Sequence, residues 1–151
     1  MRKGDYTKVS RLTCILKLWG MPTIYIMDYD ADIVYVLCKW LTIEGFETKG
    51  FTTLEQLRLQ LSISQPEGII LDCSYGRMPL IINMCHTIRK ALQYSGLLLL
   101  SSTTTLSSEN SEACNATDFI TKPFDFNALV NRINGYLSNA STINTAESLA
   151  Y

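Results

Sequence analysis

The stretch Gly-Ile-Ile-Leu-Asp at residues 68–72 is a short apolar run that ends in a carboxylate. An apolar run without polar alternation is typical of a strand that is buried on both faces of a parallel sheet. Such runs alternate along the chain with segments whose apolar residues recur at helical spacing. Strands are predicted at residues 23–27, 46–49, 68–71, 97–100 and 118–121. This order predicts an α/β fold, a doubly wound five-stranded parallel sheet with helices on both faces.

The helical segments are marked by apolar stripes and by residues that begin or end helices. Stripes predict helices around residues 33–41, 54–61, 81–92 and 129–137. Thr53 and Gln56 have the spacing of a capping box before the second of these helices, and Asp125 can cap the last one. Residues 103–117 should hold a further helix, but they are rich in Ser, Thr and Asn, which are poor helix formers.

The bulk composition argues against several classes of protein. The 151 residues carry a formal charge of −1, so the chain as a whole has no bias toward nucleic acid or an anionic membrane. Its five cysteines form no C-x-x-C pair and no Cys/His cluster, which argues against structural zinc and favours reduced thiols in a cytoplasm. His86 is the only histidine, which weakens any Ser-His or Cys-His hydrolase mechanism. No stretch approaches the ~20 apolar residues of a membrane span.

The two ends of the chain differ in composition from its middle. Residues 1–20 form a basic extension in which five Lys or Arg residues accompany a single Asp, with apolar residues at helical spacing. The favoured interpretation is that these residues are an irregular extension, or that translation starts at Met21. The alternative is an amphipathic helix that docks on a partner or a membrane surface. Residues 21–138 are assigned to the folded domain and residues 139–151 to a loose polar tail.

Functional side chains of a doubly wound sheet lie beyond the carboxyl ends of its strands. That rule selects the polar and aromatic residues that follow the predicted strands directly. They are Asp28, Tyr29, Asp30, Asp72, Ser101, Ser102 and Lys122. We therefore expect these side chains to gather at one edge of the sheet.

Four segments carry a resemblance to a known family. They read IMDYDADI around the end of the first predicted strand, GIILD at the third, LLLLSS at the fourth and ATDFITKPFD at the fifth. The last is the most specific, because Lys-Pro-Phe-Asp after a short strand stands in register with Asp72 upstream. From Thr23 to Leu137 the chain resembles the CheY-like receiver domain of the response regulators of two-component signal transduction.

The resemblance implies a chemistry for the strand-end residues. Asp72 stands at the position of the phosphoacceptor, whose carboxylate takes a phosphoryl group from a phosphohistidine. Lys122 would pair with the phosphoryl oxygens, and Ser101 would donate its hydroxyl to them. Phe119 matches the aromatic position that reorients on activation, with Ser101 as its switching partner. Phosphoryl transfer depends mainly on positioning and on the neutralisation of charge.

The resemblance also implies a Mg²⁺ ion held by carboxylates. Asp28 matches the first member of the family's acidic pair, and Asp72 would be a ligand as well. The second acidic position is Tyr29, whose neutral phenol is a poor ligand for Mg²⁺. Asp30, one residue further on, is the candidate to compensate. A second departure is the loop at residues 73–79, which is longer than usual in the family and has a displaced proline.

Each of these residues also has a purely structural interpretation. Asp72 could cap a helix or a turn, Ser101 could form a turn, and Lys122 could be an ordinary surface lysine. An aromatic residue such as Phe119 is more often part of a core than of a switch. His86 lies beside an apolar helical stripe and is expected to be structural or exposed to solvent.

The function implied by the resemblance is that of a cytoplasmic, single-domain response regulator, a phosphoprotein whose output is protein–protein interaction. A sensor histidine kinase or a phosphotransfer protein would phosphorylate Asp72, and a downstream protein, rather than nucleic acid, would be the target. Enzymatic activity would be limited to self-phosphotransfer and autodephosphorylation. The alternative is a pseudo-receiver, a protein-interaction module independent of phosphate, which Tyr29 and the altered loop favour. A flavodoxin-like small-molecule binder is disfavoured because no glycine-rich loop follows the first strand.

Overall fold

Five parallel strands form one sheet in the order β2-β1-β3-β4-β5. The computed structural model describes residues 20–92 and 96–148, and in the last helix it describes side chains through Asn139. The strands are β1 (Thr23–Met27), β2 (Glu47–Phe51), β3 (Gly68–Asp72), β4 (Leu97–Ser102) and β5 (Asp118–Thr121). The helices are α1 (Ala31–Ile43), α2 (Leu54–Ile63), α3 (Met78–Ala91), α4 (Ser108–Ala113) and α5 (Phe126–Ser148). The predicted doubly wound five-stranded sheet is confirmed.

The sheet is covered on both faces, which explains why its central strands lack polar alternation. Successive residues of a strand point to opposite faces. Ile24 and Ile26 of β1 therefore join one core, and Tyr25 and Met27 join the other. Helices α1 and α5 complete the first core, whereas α2 and α3 complete the second. All of β3 is buried between these two layers.

The predicted strand bounds agree with the structure at β1 and β5 and differ at the other three strands. β2 starts one residue later than predicted and extends to Phe51. It is an edge strand that pairs with β1 alone, and its mostly exposed residues give a weak periodic signal. β3 and β4 run further than predicted, to Asp72 and Ser102, because parallel pairing continues and sets Asp72 opposite Ser101.

The helix ends follow the sequence signals. Thr53 and Gln56 form the predicted capping box at α2. Asp125 Oδ1 accepts a hydrogen bond of 2.9 Å from the Ala128 amide, which caps α5. The Ser/Thr/Asn-rich stretch forms only the six-residue helix α4, in which no residue is buried. Its brevity agrees with the poor helix propensity of its residues.

The C-terminal helix is longer than the sequence analysis predicts. A loose tail was expected from residue 139, but the backbone remains helical through Ser148. This part has no clear apolar stripe, yet no proline or glycine follows Gly135 to interrupt the helix. Extending an existing helix gains one hydrogen bond for each residue that becomes ordered. The prediction of a loose tail is therefore wrong for residues 139–148.

Two further expectations concern the ends and the cysteines. The basic extension at residues 1–20 lies outside the described residues, except for Gly20. Within the described parts of the chain, no helix has the length and apolar character needed to cross a bilayer. Four cysteines fall in the described parts, and all are free thiols: Cys38, Cys73, Cys85 and Cys114.

Candidate functional site

Three charged side chains meet at the carboxyl edge of the sheet. Asp28 directly follows β1, Asp72 is the last residue of β3, and Lys122 directly follows β5. The Lys122 Nζ lies 2.5 Å from Asp28 Oδ2 and 3.1 Å from Asp72 Oδ1. Asp28 and Asp72 are almost completely buried, with 2% and 1% of their surface exposed. Residues distant in sequence thus form one buried cluster, which we call the acidic cluster.

Lys122 compensates part of the negative charge of the acidic cluster. Burial acts to lower the pKa of Lys122, but hydrogen bonds to Asp28 and Asp72 and the charges of these groups outweigh burial. The pKa of Lys122 therefore lies above its ordinary value, and the ammonium group stays protonated at neutral pH. Two ionised carboxylates and one ammonium leave an excess of negative charge, which favours the binding of a further cation.

The two oxygens of Asp72 differ sharply in their hydrogen bonding. Oδ1 accepts hydrogen bonds from the Ser74 amide at 3.1 Å, from Ser74 Oγ at 2.6 Å and from Lys122 Nζ at 3.1 Å. Oδ2 is buried and has no hydrogen-bond partner among the residues that the structure describes. A buried polar atom without a partner is costly and commonly marks a reactive group or an ion site. Asp72 Oδ2 is therefore the oxygen that is available to a ligand or to an electrophile.

Ser74 is a site residue that the sequence analysis includes only as part of an unusual loop. Its hydroxyl donates to Asp72 Oδ1 and accepts a hydrogen bond of 3.2 Å from the Thr103 amide. It therefore connects the loop after β3 with the loop after β4. The signal that could have identified it is the Asp-x-Ser spacing, because an aspartate often accepts a hydrogen bond from the amide two residues on.

Asp28 and Asp30 have different roles. Asp28 Oδ1 accepts a hydrogen bond of 2.9 Å from the Asp30 amide. The Asp30 carboxylate caps α1 and accepts hydrogen bonds from the amides of Asp32 and Ile33. Within residues 20–92 and 96–148, no group of three or more Asp, Glu, His or Cys side chains is arranged to hold a metal. The structure thus brings Asp28 to Asp72 but does not bring the Asp30 carboxylate to them.

Tyr29, at the second acidic position, lies at the rim of the acidic cluster. Its side chain is 47% exposed. Its ring packs edge-to-face against Tyr75 of the loop after β3, with ring centroids 5.7 Å apart and planes at 85°. The position therefore contributes an aromatic contact between two loops where the family pattern has a carboxylate.

The donor set of the acidic cluster fits a Mg²⁺ ion with few protein ligands. Mg²⁺ is commonly bound through one or two carboxylates, with water and phosphate oxygens completing the octahedron. Asp28 and Asp72 are two such carboxylates, and both are buried beside the single ammonium group of Lys122. The set has one carboxylate fewer than the family pattern implies, so the residues present fit a weaker site.

Ser101 and Phe119 lie on the two strands beyond Asp72. Ser101 is buried, pairs in register with Asp72 and lies opposite Ile120 of β5. Phe119, the residue before Ile120, is partly buried and packs against the core formed with α2 and α3. The two residues therefore lie on adjacent strands beside the acidic cluster. The packing of Phe119 agrees with a core residue, and its role as a switch stays a prediction.

Cys73 and His86 take structural positions. Burial, and then the charge of Asp72, raise the pKa of Cys73 to about 12, so its thiol stays neutral at neutral pH. The Cys73 thiol donates to the Ser101 carbonyl at 3.2 Å. His86 is exposed, and its Nε2 lies 2.8 Å from the Ala113 carbonyl oxygen at the end of α4.

Comparisons with known proteins find response regulators, both by sequence and by structure. The chain is 26% identical over 117 residues to the heme response regulator HssR of Staphylococcus saprophyticus, a match that covers 78% of this chain. The chain spans only about half of that relative, 52% of its length. No family model matches the chain.

Two solved structures show the same fold over their whole length. A response regulator from Thermotoga maritima is similar with a TM-score of 0.71 and 20% identity, over 79% of this chain and 99% of that one. A CheY-like response regulator receiver domain protein from Methanospirillum hungatei gives a TM-score of 0.69 and 19% identity, over 82% and 98%. The resemblance to response-regulator receiver domains is therefore confirmed, and this chain has their CheY-like fold.

Proposed function

We propose that this chain accepts a phosphoryl group on Asp72 from a phosphohistidine of a sensor histidine kinase or a phosphotransfer protein. One observation carries the proposal. The Lys122 ammonium contacts Asp28 and Asp72, while the second oxygen of Asp72 is buried and has no partner within residues 20–92 and 96–148. A purely structural aspartate would be expected to have both oxygens hydrogen-bonded, as buried polar groups generally are.

The distribution of hydrogen bonds supports a different proposed role for each oxygen of Asp72. Oδ1 already accepts three hydrogen bonds, which hold the carboxylate in one orientation. Oδ2 attacks phosphorus, the P–O bond forms, and the P–N bond to the donor imidazole breaks with its electron pair remaining on nitrogen. The product is an acyl phosphate on Asp72 and a free histidine on the donor.

Lys122 supplies the positive charge that the chain itself offers to the transferred group. Its ammonium lies next to both carboxylates and remains protonated at neutral pH. Charge on the phosphoryl oxygens is spread in the transition state, and a fixed cation nearby stabilises it. Ser101, buried opposite Asp72, is the second group proposed to contact those oxygens, through its hydroxyl.

Asp28 and the oxygen of Asp72 that does not attack phosphorus, Oδ1, would hold a Mg²⁺ ion, and this ion would supply further positive charge to the phosphoryl oxygens when bound. With Tyr29 in place of the second acid and the Asp30 carboxylate engaged at α1, the chain offers only these two carboxylates. We therefore propose that phosphoryl transfer to Asp72 depends less on a tightly bound Mg²⁺ ion than it would with a second acidic residue at position 29. Lys122 would then neutralise a larger share of the charge on the phosphoryl oxygens.

The output is proposed to be a protein–protein contact. Helix α1, which begins beside the acidic cluster, exposes four large apolar side chains: Tyr35, Val36, Trp40 and Ile43. Exposed apolar patches of this kind commonly mark surfaces that bind other proteins. Phe119 and Ser101 are proposed to link the state of Asp72 to the surface of the domain.

The test is direct phosphorylation. The purified chain is incubated with Mg²⁺ and phosphoramidate, which contains the same P–N bond as phosphohistidine, and its intact mass is measured. We expect the mass to increase by one phosphate, in a bond that is stable to acid and labile to base. Asp72→Asn should show no increase. If the parent chain does not react under these conditions, the phosphoacceptor proposal is wrong.

A further inference from the structure

A second concave site lies between α2 and α3. It is a groove with a volume of about 320 Å³. The buried side chains of Ile81 and Ile88 line it, together with the partly buried Leu54 and Met84. Sites that bind small molecules are typically concave and mostly apolar, with a few polar groups that set orientation. The volume is at the lower end of the range for such sites, which restricts the groove to a small ligand.

The opening of the groove is aromatic. Tyr29, Tyr75 and Leu80 line it and are 47%, 64% and 67% exposed. The edge-to-face contact of the two tyrosines leaves ring surface of each exposed to solvent. Aromatic rings bind other aromatic rings in offset or edge-to-face arrangements, which gain about 0.5–1.5 kcal/mol beyond the burial of area.

One charged residue, Arg58, lines the groove from α2. Among the residues that the structure describes, its guanidinium has no ion pair and no hydrogen bond. A guanidinium presents a planar fork of donors that matches a carboxylate. The groove therefore combines an apolar interior, exposed aromatic rings and one cation without a protein partner.

We propose that this groove binds a small aromatic carboxylate. The ring of the ligand lies against the apolar lining and the Tyr29–Tyr75 pair, and its carboxylate pairs with Arg58. The proposal does not depend on phosphorylation of Asp72, because none of the three residues of the acidic cluster lines the groove. Tyr29 connects the two sites in sequence, since it directly follows Asp28.

The probe for this site is 2-naphthoate, titrated into the full chain labelled with nitrogen-15. We expect saturable shifts of the backbone amide resonances of residues that line the groove, with Tyr29, Arg58 and Met84 among them. The neutral analogue 2-naphthylmethanol should bind more weakly by about threefold to tenfold. That range corresponds to a charged hydrogen bond at a partly exposed position.

Two arginine variants separate a specific site from general adhesion. Arg58→Gln should weaken 2-naphthoate binding by the same factor of about threefold to tenfold and leave binding of the neutral analogue unchanged. Arg77→Gln is the matched control, because Arg77 is exposed at the start of α3 but does not line the groove. It should bind both probes as the parent does.

Three results would overturn the proposal. The first is the absence of saturable shifts with 2-naphthoate. The second is equal binding of the acid and the alcohol, which would mean that the groove is merely an apolar surface for protein contact. The third is an equal effect of Arg58→Gln and Arg77→Gln, which would mean that net charge rather than the groove controls binding.

Discussion

Two cations of this domain are held by different kinds of partner: Lys122, whose side chain is 13% exposed, and the buried Arg89. Lys122 lies at the carboxyl edge of the sheet and contacts two buried carboxylates. Arg89 of α3 is 5% exposed and donates to the Gly96 carbonyl, the Asn115 carbonyl and the Thr117 hydroxyl. Its partners are neutral and lie before the amino ends of β4 and β5.

The comparison separates a structural cation from a functional one. The partners of Arg89 are mostly backbone atoms. Its guanidinium therefore connects α3 to the two loops, and its donors have little freedom to change partners. The partners of Lys122 are charged side chains, and one oxygen of its partner Asp72, Oδ2, has no hydrogen bond to any described residue. A saturated buried network adds rigidity, whereas an incomplete one retains the capacity to bind or react.

The largest expected effect is that of Asp72→Asn. Asparagine is nearly isosteric but lacks the carboxylate nucleophile, so phosphorylation should be abolished. Removing one negative charge also reduces repulsion with Asp28, so the variant should be as stable as the parent or more stable in metal-free buffer. Intact mass and thermal unfolding measure the two effects. Phosphate incorporation by the variant would show that another residue is the acceptor.

Arg89→Met should produce the next largest effect, on stability rather than chemistry. It leaves three buried or partly buried acceptors without their donor, and we expect a loss of about 2–4 kcal/mol in the free energy of unfolding. Arg132→Met is the matched control, because its pair with Asp118 is exposed and should contribute less than about 1 kcal/mol. Urea unfolding measures both. A small loss at Arg89 would mean that water readily replaces the guanidinium.

Lys122→Ala should affect both properties at once. Phosphoryl transfer to Asp72 should slow by roughly 10- to 100-fold, because the fixed cation near the phosphoryl oxygens is lost. Stability should fall as well, because two buried carboxylates lose their counter-charge. The double variant with Asp72→Asn should be more stable than the sum of the single changes predicts. Additive changes in the free energy of unfolding would contradict coupling of the two residues.

Tyr29→Asp should strengthen Mg²⁺ binding several-fold, since it restores an anionic oxygen ligand for a hard cation. Calorimetric titration with Mg²⁺ measures this change. Tyr35→Asp adds the same charge at an exposed position of α1 and serves as the control. If the two variants gain equally, the effect comes from net charge, and Tyr29 does not occupy the metal-facing position.

The smallest expected effect is a pH dependence. The pKa of Lys122 is raised in the folded chain above its ordinary value of 10.5, so its contribution to stability is complete below that pH. The contribution should disappear as the pH rises through the raised pKa. The stability difference between parent and Lys122→Ala should therefore be constant near neutrality and shrink only in strongly alkaline solution. A difference that shrinks below pH 9 would contradict the raised pKa.

Much of the candidate site could be predicted because its residues follow strands directly. The apolar runs locate β1, β3 and β5, and parallel strands bring their carboxyl ends to one edge. Asp28, Asp72 and Lys122 therefore meet as expected. The role of Ser74 could not be predicted with the same ease, because its contact with Thr103 depends on the paths of two loops.

Asp30 and the C-terminal helix show a second limit of prediction. The carboxylates at 28 and 30 flank Tyr29, and both were expected near the metal, but only the first belongs to the acidic cluster. The second lies at the start of α1, where unpaired amides attract an acceptor. The sequence of residues 139–148 predicts neither a helix nor a loose tail strongly. These residues are helical because they extend the helix that precedes them.

The sequence by itself determined the order of elements, the parallel sheet and the set of strand-end residues to which Asp28, Asp72 and Lys122 belong. These features follow from hydrophobic periodicity and from position at a strand end, which are local properties. The tertiary structure alone decided that Oδ1 of Asp72 accepts three hydrogen bonds while Oδ2 has no partner in the described part of the chain. It also decided that Tyr29 pairs with Tyr75 and that Arg58 borders the groove between α2 and α3. Contacts between loops depend on the whole packed domain, because no local pattern specifies which distant groups they meet.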